Sequence, residues 1–464
     1  MRVIFSVALL LGLAGGAAAQ SPGDTVRLTL EDAVRRAVER GEEMRAARAD
    51  QRDAQGRVTE ATAAALPHVT GDVVYTRLFN TIFEDAAADS SFGPIFANTP
   101  FGAPNQWSLE LRATQLLFAG GKVGAALKGA RAYRRAAAEQ TAETEANVIY
   151  AVKRAYLEAQ YSGRLVVIAE AGLESAREHL TEVQRFQQAG TRAEYDLLRA
   201  QVEAANQEPL VIEARNRLDL ATLELKRLVN LPTDASLVLV TPALAADDMV
   251  PVVASDSVGT AARPALRAAE ANVAVWEQAV RVARGDRWPT LSVGTTLQHQ
   301  GFPQSGSPFD ARFVRNWNAE ARLSVPLFLG FRTVGSVERA QASLERARST
   351  MEQTREAVAI EVARAEAELQ RTSTLLAAQR ATVRQAGRAH HLANVRYANG
   401  MATQIEVSDA RLLLQQAEVN AARALRDYLL GIADLERALG RPVPVERRPL
   451  DRVVGTESAK GLEP

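Results

Sequence analysis

Four short segments of this chain alternate between apolar and polar residues, which is the pattern of a β-strand with two different faces. In one of them Trp107, Leu109 and Leu111 are apolar, whereas the intervening Ser108 and Glu110 are polar. The alternation predicts strands at about 68–80, 106–118, 290–300 and 316–328.

Long stretches with apolar residues at three- and four-residue spacing separate these strands. One begins at Gly121 and the other at Thr333, and neither contains a proline before its end. Each predicts a helix roughly 100 Å long, because an α-helix rises 1.5 Å per residue. A glycine, Gly190 or Gly400, then supplies the left-handed conformation in which helices commonly end. The sequence therefore predicts two long coiled-coil-like α-helical hairpins, at 121–230 and 333–440.

The same order of elements occurs twice. Gly190 recurs as Gly400, 210 residues further on, and the same offset relates the strand at 106–118 to the strand at 316–328. Pro67 and Pro289, which precede strands, are 222 residues apart, because the first loop between strands is about a dozen residues longer. The duplication predicts one structural unit made twice.

The duplication divides the chain into five parts. Residues 1–19 have the basic start, short apolar core and Ala-x-Ala end of a secretory signal peptide. A first structural repeat, a connecting equatorial segment and a second repeat follow. The C-terminal tail is rich in charges and is expected to be disordered. The boundaries are 20–232, 233–262, 263–442 and 443–464.

The composition excludes several classes of protein. There is no cysteine, which excludes a disulfide framework and a thiolate metal site. The 55 basic and 55 acidic residues balance and are dispersed, so no nucleic-acid partner is expected. We recognise no ATP-binding motif, metal-ligand cluster or catalytic triad, and we therefore expect neither an enzyme nor a bound cofactor.

The strands, not the helices, are the candidates for contact with a membrane. After the signal peptide, no segment has the roughly 20 apolar residues of a transmembrane helix. Any one of the strands fits a membrane strand or a soluble sheet with one wet face equally well. Four of them behind a signal peptide favour the membrane. Four strands cannot close a barrel, so copies must pool them: two copies would give a filled barrel of eight strands, and three would give twelve with a lumen.

The order of these motifs resembles that of the TolC outer-membrane efflux family over essentially the whole mature chain. The matching motifs are LTLEDA at 28–33, LP at 66–67, WP at 288–289, QLLFAGG at 115–121, VPLFLG at 325–330 and RYANG at 396–400. The resemblance implies a mainly α fold with a membrane β-barrel share. Each protomer would contribute four strands and two hairpins to a homotrimer with a twelve-stranded barrel and a twelve-helix tunnel.

The resemblance also implies a function. The chain would be an outer-membrane export channel that extends into the periplasm and conducts cargo passively within a tripartite efflux or type I secretion system. The implied partners are outer-membrane lipid, a periplasmic adaptor protein and an inner-membrane pump of the RND or ABC type. The alternative is a non-conducting periplasmic coiled-coil adaptor or scaffold whose strands form a soluble sheet.

The family places a pore constriction just after the second hairpin turn, at positions that match Glu406 and Asp409. These residues are three apart and share a helix face. Three copies of both carboxylates around a narrow axis would favour cations. Glu406 also has a competing structural interpretation, because Thr403 and Glu406 have the spacing of a helix capping box. The same spacing occurs at Thr191 and Glu194.

The resemblance also implies residues that link the two hairpins and hold the gate closed. Asp196 and Tyr397 match such positions. The arginine expected two residues after Gly400 is Ala402 here, and Arg192 is the candidate replacement. The hairpin tips would be the docking surface of the adaptor, and they include Gly190, Thr191, Gly400 and Thr403.

Overall fold

The computed structural model describes residues 25–79, 103–191, 193–240, 249–253, 263–303, 305–443 and 445–449. Within these residues the chain is mainly helical, with a smaller share of sheet. Two helices of 67 residues each dominate the fold, α3 (Lys122–Gln188) and α6 (Arg332–Ala398). No helix of the described residues is long and apolar enough to cross a membrane.

Each long helix ends in the same glycine turn. Gly190 and Gly400 have φ of 71° and 72°, a left-handed conformation that glycine adopts without steric cost. Beyond them the backbone N–H of Thr191 donates to Phe186 at 3.0 Å, and that of Met401 donates to Arg396 at 2.8 Å. These bonds satisfy carbonyls at the helix end. The chain then returns as α4 (Glu194–Leu228) or α7 (Gln404–Leu439).

Four strands form one antiparallel sheet in the order β2-β3-β6-β7. Val73 pairs with Leu109, and the pair recurs as Thr295 and Ala319, which lie 222 and 210 residues further along the chain. The two strand hairpins therefore have the same register. β2 and β7 are the edges of the sheet, and neither has a second neighbour among the described residues. The bounds are β2 His68–Arg77, β3 Asn105–Ala119, β6 Thr290–Gly301 and β7 Phe313–Ser324.

Shorter elements pack against the middle of the long helix α3 and against its part next to the sheet. β1 (Val26–Leu28) pairs in parallel with β4 (Leu237–Leu239). The remaining helices are α1 (Leu30–Arg40), α2 (Glu42–Ala63) and α5 (Pro264–Gly285).

The C-terminal tail differs in part from the prediction. β5 (Met249–Val253) pairs with β8 (Val445–Pro449) in an antiparallel arrangement. The expectation that the whole tail from 443 is disordered is therefore wrong for 445–449, because backbone pairing with a distant strand orders this segment. The end of the tail, at 450–464, and the proposed signal peptide, at 1–19, lie outside the described residues.

The core lies where α1 and the end of α4 pack against the middle of α3. Val152, Tyr156 and Leu225 are fully buried there. The hydroxyl of Tyr156 donates to the backbone carbonyl of Leu28 at 3.2 Å, which satisfies its buried polar end. This cluster ties the N-terminal strand and helix to the first long hairpin.

A buried ion-pair cluster joins the two repeats. Arg263, which is 4% exposed, precedes α5 and donates to Glu143 of α3 at 2.9 Å and to Glu361 of α6 at 2.7 Å. It also donates to the carbonyl of Ala438 at 3.2 Å. One guanidinium thus connects both long helices with the end of α7.

Candidate functional site at the hairpin tips

The second hairpin turn is closed by a complete capping box. The side chain of Thr403 accepts a hydrogen bond from the N–H of Glu406 at 3.3 Å, and the carboxylate of Glu406 accepts from the N–H of Thr403 at 3.1 Å. Arg396 lies 3.3 Å from the same carboxylate and donates to the carbonyl of Met401 at 3.1 Å. Glu406 therefore holds the turn together, whatever else it does. Arg396 supplies a guanidinium near the position where Ala402 lacks one.

The predicted capping box at Thr191 and Glu194 is wrong. α4 begins after Ala193, which makes no side-chain cap, and the hydroxyl of Thr191 donates instead to the carbonyl of Phe186 at 2.8 Å. The 210-residue offset explains the error, because Ala193 is the counterpart of Thr403 and Thr191 is two residues out of register.

Asp409 has no capping duty. It is exposed, one turn after Glu406 on α7, and its carboxylate makes no hydrogen bond or ion pair with any residue of the described ranges. It borders both the groove between α4 and α7 and the groove between α6 and α7. Asp409 is therefore a solvated charge on the ridge of α7 between two grooves.

The residues that the resemblance assigns to the gate lie where the hairpins meet, and their contacts there are with residues that the sequence did not single out. The backbone carbonyl of Asp196 accepts from the side chain of Gln404 at 3.4 Å. Tyr397 is buried and its ring packs edge-on against His179 of α3, with the centroids 5.5 Å apart. Arg192 lies outside the described residues.

A stronger link between the hairpins involves residues that the sequence did not single out. Glu203 of α4 accepts from the hydroxyl of Ser408 at 2.8 Å and forms an ion pair with Arg411 of α7. Arg411 is 8% exposed, and burial lowers the pKa of its guanidinium. The pair is absent from the first repeat, where the counterpart of Arg411 is Gln201, so the duplication gave no signal for it.

One further contact, together with that of Gln404 with Asp196, completes a polar ladder between α4 and α7. Gln415 donates to Gln207 at 3.4 Å, deeper along the hairpins. Gly172 of α3 makes room for this pair, since a Cβ there would lie 2.9 Å from the Gln415 amide nitrogen. We call the Gln404, Ser408–Arg411 and Gln415 contacts the α4–α7 ladder.

The chain matches the model of the outer membrane efflux protein family over residues 33–231 and 260–441. It belongs to this family. It is therefore an efflux channel protein of the outer membrane that extends into the periplasm, and the resemblance found in the sequence is confirmed. Family membership decides against the alternative of a periplasmic adaptor or scaffold.

Individual relatives of this efflux channel agree in length and fold. The pyoverdine export outer membrane protein OpmQ of Pseudomonas aeruginosa is 26% identical over 438 residues, which cover 91% of this chain and 87% of OpmQ. The structure of CusC is similar with a TM-score of 0.74 at 17% identity, covering 90% of this chain and 93% of that one. VceC of Vibrio cholerae gives a TM-score of 0.71 at 20% identity, with 89% and 96% covered.

OpmQ is an export protein of the outer membrane, and the CusC structure describes the formation of a transmembrane channel. Within the described residues, no group of histidine and acidic side chains could hold a metal ion. What the tips contain is a capped turn, a solvated carboxylate and a buried ladder between hairpins. This arrangement can hold two helices together and present charge.

Proposed function

We propose that three copies of this chain close the four-stranded sheet into a twelve-stranded barrel, which continues as a tunnel of twelve helices. Cargo would pass through it by passive conduction. The energy would come from an inner-membrane pump of the RND or ABC type through a periplasmic adaptor, in a tripartite efflux or type I secretion system. The sequence contains no nucleotide-binding motif that could supply this energy within the channel itself.

The open sheet is the observation that carries the proposal. One face of it is apolar and exposed, with Val73, Leu111 and Trp317 each more than half exposed. The edge strands β2 and β7 run in opposite directions, so the β7 edge of one copy can pair antiparallel with the β2 edge of the next. An unpaired edge in hydrocarbon would leave backbone groups without partners at several kcal/mol each, and closure removes that cost.

The internal duplication supports a specific register for this junction. Inside one copy, β3 pairs with β6 so that Glu110 lies opposite Gln298. In the repeat, β7 is the counterpart of β3, 210 residues later, and β2 is the counterpart of β6, 222 residues earlier. Applied to the pair of Glu110 with Gln298, these offsets place Glu320 of one copy opposite Thr76 of the next. A junction built like the one between the two repeats would repeat the same contact around a closed ring.

At the other end of the tunnel, the tips provide the proposed constriction and its lock. Asp409 is the stronger candidate for a carboxylate on the axis, since Glu406 is engaged in the turn. The α4–α7 ladder would hold the hairpins closed, with Asp196, Tyr397 and Arg192 as further links. The adaptor would dock on the turns at Gly190, Thr191, Gly400 and Thr403.

Cysteine cross-linking tests the closure directly, because the chain has no cysteine of its own. The variant with Glu320→Cys and Thr76→Cys, and the variant with Ala321→Cys and Tyr75→Cys, cover both kinds of antiparallel residue pair. Oxidation in the membrane should give covalent dimers and trimers and no larger species in at least one of them.

The control is Glu320→Cys with Asp72→Cys, which keeps both thiols on the same face but shifts one by four residues. Its Cα atoms would be too far apart for a disulfide. Cross-linking that stops at dimers, or an uncross-linked monomer that is soluble without detergent, would reject the twelve-stranded channel.

A further inference from the structure

The turn that leads from the sheet into each long helix contains two left-handed residues. In the first repeat they are Gly120 and Gly121, with φ of 61° and 77°, and in the second they are Gly330 and Phe331, with φ of 56° and 64°. A bulky side chain rarely adopts this conformation, because its Cβ crowds the backbone. The second repeat thus carries backbone strain that the first avoids.

The side chain of Phe331 is not buried within the described chain, although its carbonyl accepts a hydrogen bond from the N–H of Gly335 at 3.1 Å. The ring of Phe331 is 76% exposed and touches the ring of Phe328 edge-on, with the centroids 5.9 Å apart. Phe328 is 77% exposed and Leu327 93%. Asn230, the other left-handed residue that is not glycine, has a side chain that donates to the carbonyl of Arg40 at 3.1 Å. An exposed apolar cluster on a strained turn indicates a partner outside the protomer.

The first repeat shows what a second copy would cover. A Cβ on Gly120 would lie 2.6 Å from both the carbonyl of Gly285 and the Cβ of Trp288, so this glycine is enclosed by the end of α5 and the turn that leads to β6. A Cβ on Gly121 would meet nothing within 4 Å, and Phe118 remains 48% exposed although the junction is complete. By the same geometry a second copy would cover Gly330 and leave the neighbouring phenylalanines open.

The basic residue that follows the turn also differs between the repeats, since it is paired with an acidic residue only in the first. Lys122, which opens α3, forms an ion pair with Asp286 at 2.9 Å. Its counterpart Arg332 opens α6, is exposed, and makes no ion pair within the described residues. The residue of the next copy that corresponds to Asp286 is Ala64, which cannot supply a counter-ion. Closure of the ring would therefore leave the Arg332 guanidinium available for another anion.

We propose that the turn Leu327–Arg332 anchors the channel in the periplasmic leaflet of the outer membrane. The ring of Phe331 lies among the upper parts of the acyl chains, next to the headgroups, and the guanidinium of Arg332 binds a phospholipid phosphate. Membrane β-barrels carry aromatic residues at the boundary between lipid and water, where arginine and lysine also act as anchors, and this turn lies at the helical end of the apolar sheet face. The inference rests on the proposed closure, since the second copy decides which residues stay open.

A fluorescent probe at Phe331→Cys tests the position of the ring. The absence of native cysteine makes the label unique, and NBD is a suitable probe. In vesicles of phospholipid brominated in the upper acyl chain, its emission should fall by about half or more, with little quenching by aqueous iodide. Glu338→Cys, an exposed position two turns further along α6, is the control, and iodide but not bromine should quench its probe. A probe at 331 that iodide quenches, or that neither agent reaches, overturns the proposal.

Because this variant removes the ring, a second one retains it. Photoreactive benzoylphenylalanine at 331 should form adducts with phospholipid, whereas adducts with the next copy would overturn the anchor. For the phosphate, Arg332→Gln should at least halve the phospholipid retained by the purified trimer, and Arg339→Gln, another exposed arginine of α6, should not. Equal loss in both, or loss in neither, rejects the Arg332 contact.

Cross-linking of the variant with Glu320→Cys and Thr76→Cys is measured in parallel, on protein that keeps Phe331. If no covalent dimers and trimers form, closure of the barrel is rejected. If they form and bromine does not quench the probe at 331, only the membrane anchor is rejected.

Discussion

Arg411 shows how one residue can decide whether the two hairpins stay together. A buried charge is costly unless a counter-ion and hydrogen bonds satisfy it, and Glu203 supplies both. Burial lowers the pKa of the Arg411 guanidinium, but an arginine stays protonated at neutral pH. The Arg411 guanidinium therefore remains charged, and separating α4 from α7 requires it to exchange Glu203 for water.

Breaking this pair on one side should loosen the tips. Glu203→Gln leaves a buried guanidinium without its counter-ion, which costs about 3 to 5 kcal/mol. We expect faster amide hydrogen exchange at 194–210 and a higher conductance in planar bilayers. Glu203→Leu with Arg411→Met removes both charges, so it should recover most of the exchange protection.

The matched control for this experiment is Glu208→Gln on the same helix. Glu208 pairs with Arg177, and both side chains are more than half exposed, so the pair contributes at most about 1 kcal/mol. Similar effects of Glu203→Gln and Glu208→Gln would show that the buried pair has no special role.

Asp409 allows a second test at a single residue, because its carboxylate is exposed and has no structural role. Asp409→Ala should lower the cation selectivity of the reconstituted channel, because three carboxylates would leave the constriction. The measurement is the reversal potential under a salt gradient. Selectivity equal to that of the native protein would remove Asp409 from the constriction.

Glu406 serves as the comparison for Asp409. Glu406→Gln retains a side chain that can cap, since glutamine also occurs in capping boxes. If selectivity falls with Glu406→Gln and not with Asp409→Ala, the constriction lies at the turn itself.

At the scale of elements, Arg263 is the point where α3, α6 and α7 are held to one another. Burial alone would raise the pKa of Glu361, but the hydrogen bond and charge of Arg263, aided by Arg437, lower it below its ordinary 4.5. A carboxyl group with a lowered folded pKa stabilises the protein above its unfolded pKa. That stability is lost as the pH falls through the folded pKa.

Acid should therefore weaken the join between the two repeats. We expect the thermal midpoint, measured by circular dichroism in detergent, to fall as the pH is lowered from about 6 to 3. Glu361→Gln should lower the midpoint at neutral pH and make this dependence shallower. Glu352→Gln changes an exposed pair with Arg355 and should leave the dependence unchanged. A pH dependence that is identical in all three proteins would contradict the role of Glu361.

At the scale of the whole molecule, the sequence predicted what depends on local pattern and on repetition. Alternation and helical spacing are local properties, so a mainly helical chain with a share of sheet could be foreseen. Contacts between distant segments could not. The pair of Glu203 with Arg411 has no counterpart in the other repeat, and β8 is ordered by β5, almost 200 residues earlier. The capping box at Thr191 was predicted wrongly because Thr191 and Glu194 have the right spacing, although the 210-residue offset makes Ala193 the counterpart of Thr403.

The size of the assembled channel follows from these elements. Helices of 67 residues span roughly 100 Å, and strands of 12 residues add up to about 40 Å when upright and less when tilted. Electron microscopy of the detergent-purified protein should therefore show a threefold particle about 130 Å long, with a hollow axis at the sheet end. Since three copies of four strands leave a lumen and two do not, a twofold particle with a filled sheet end would contradict passive conduction through the barrel.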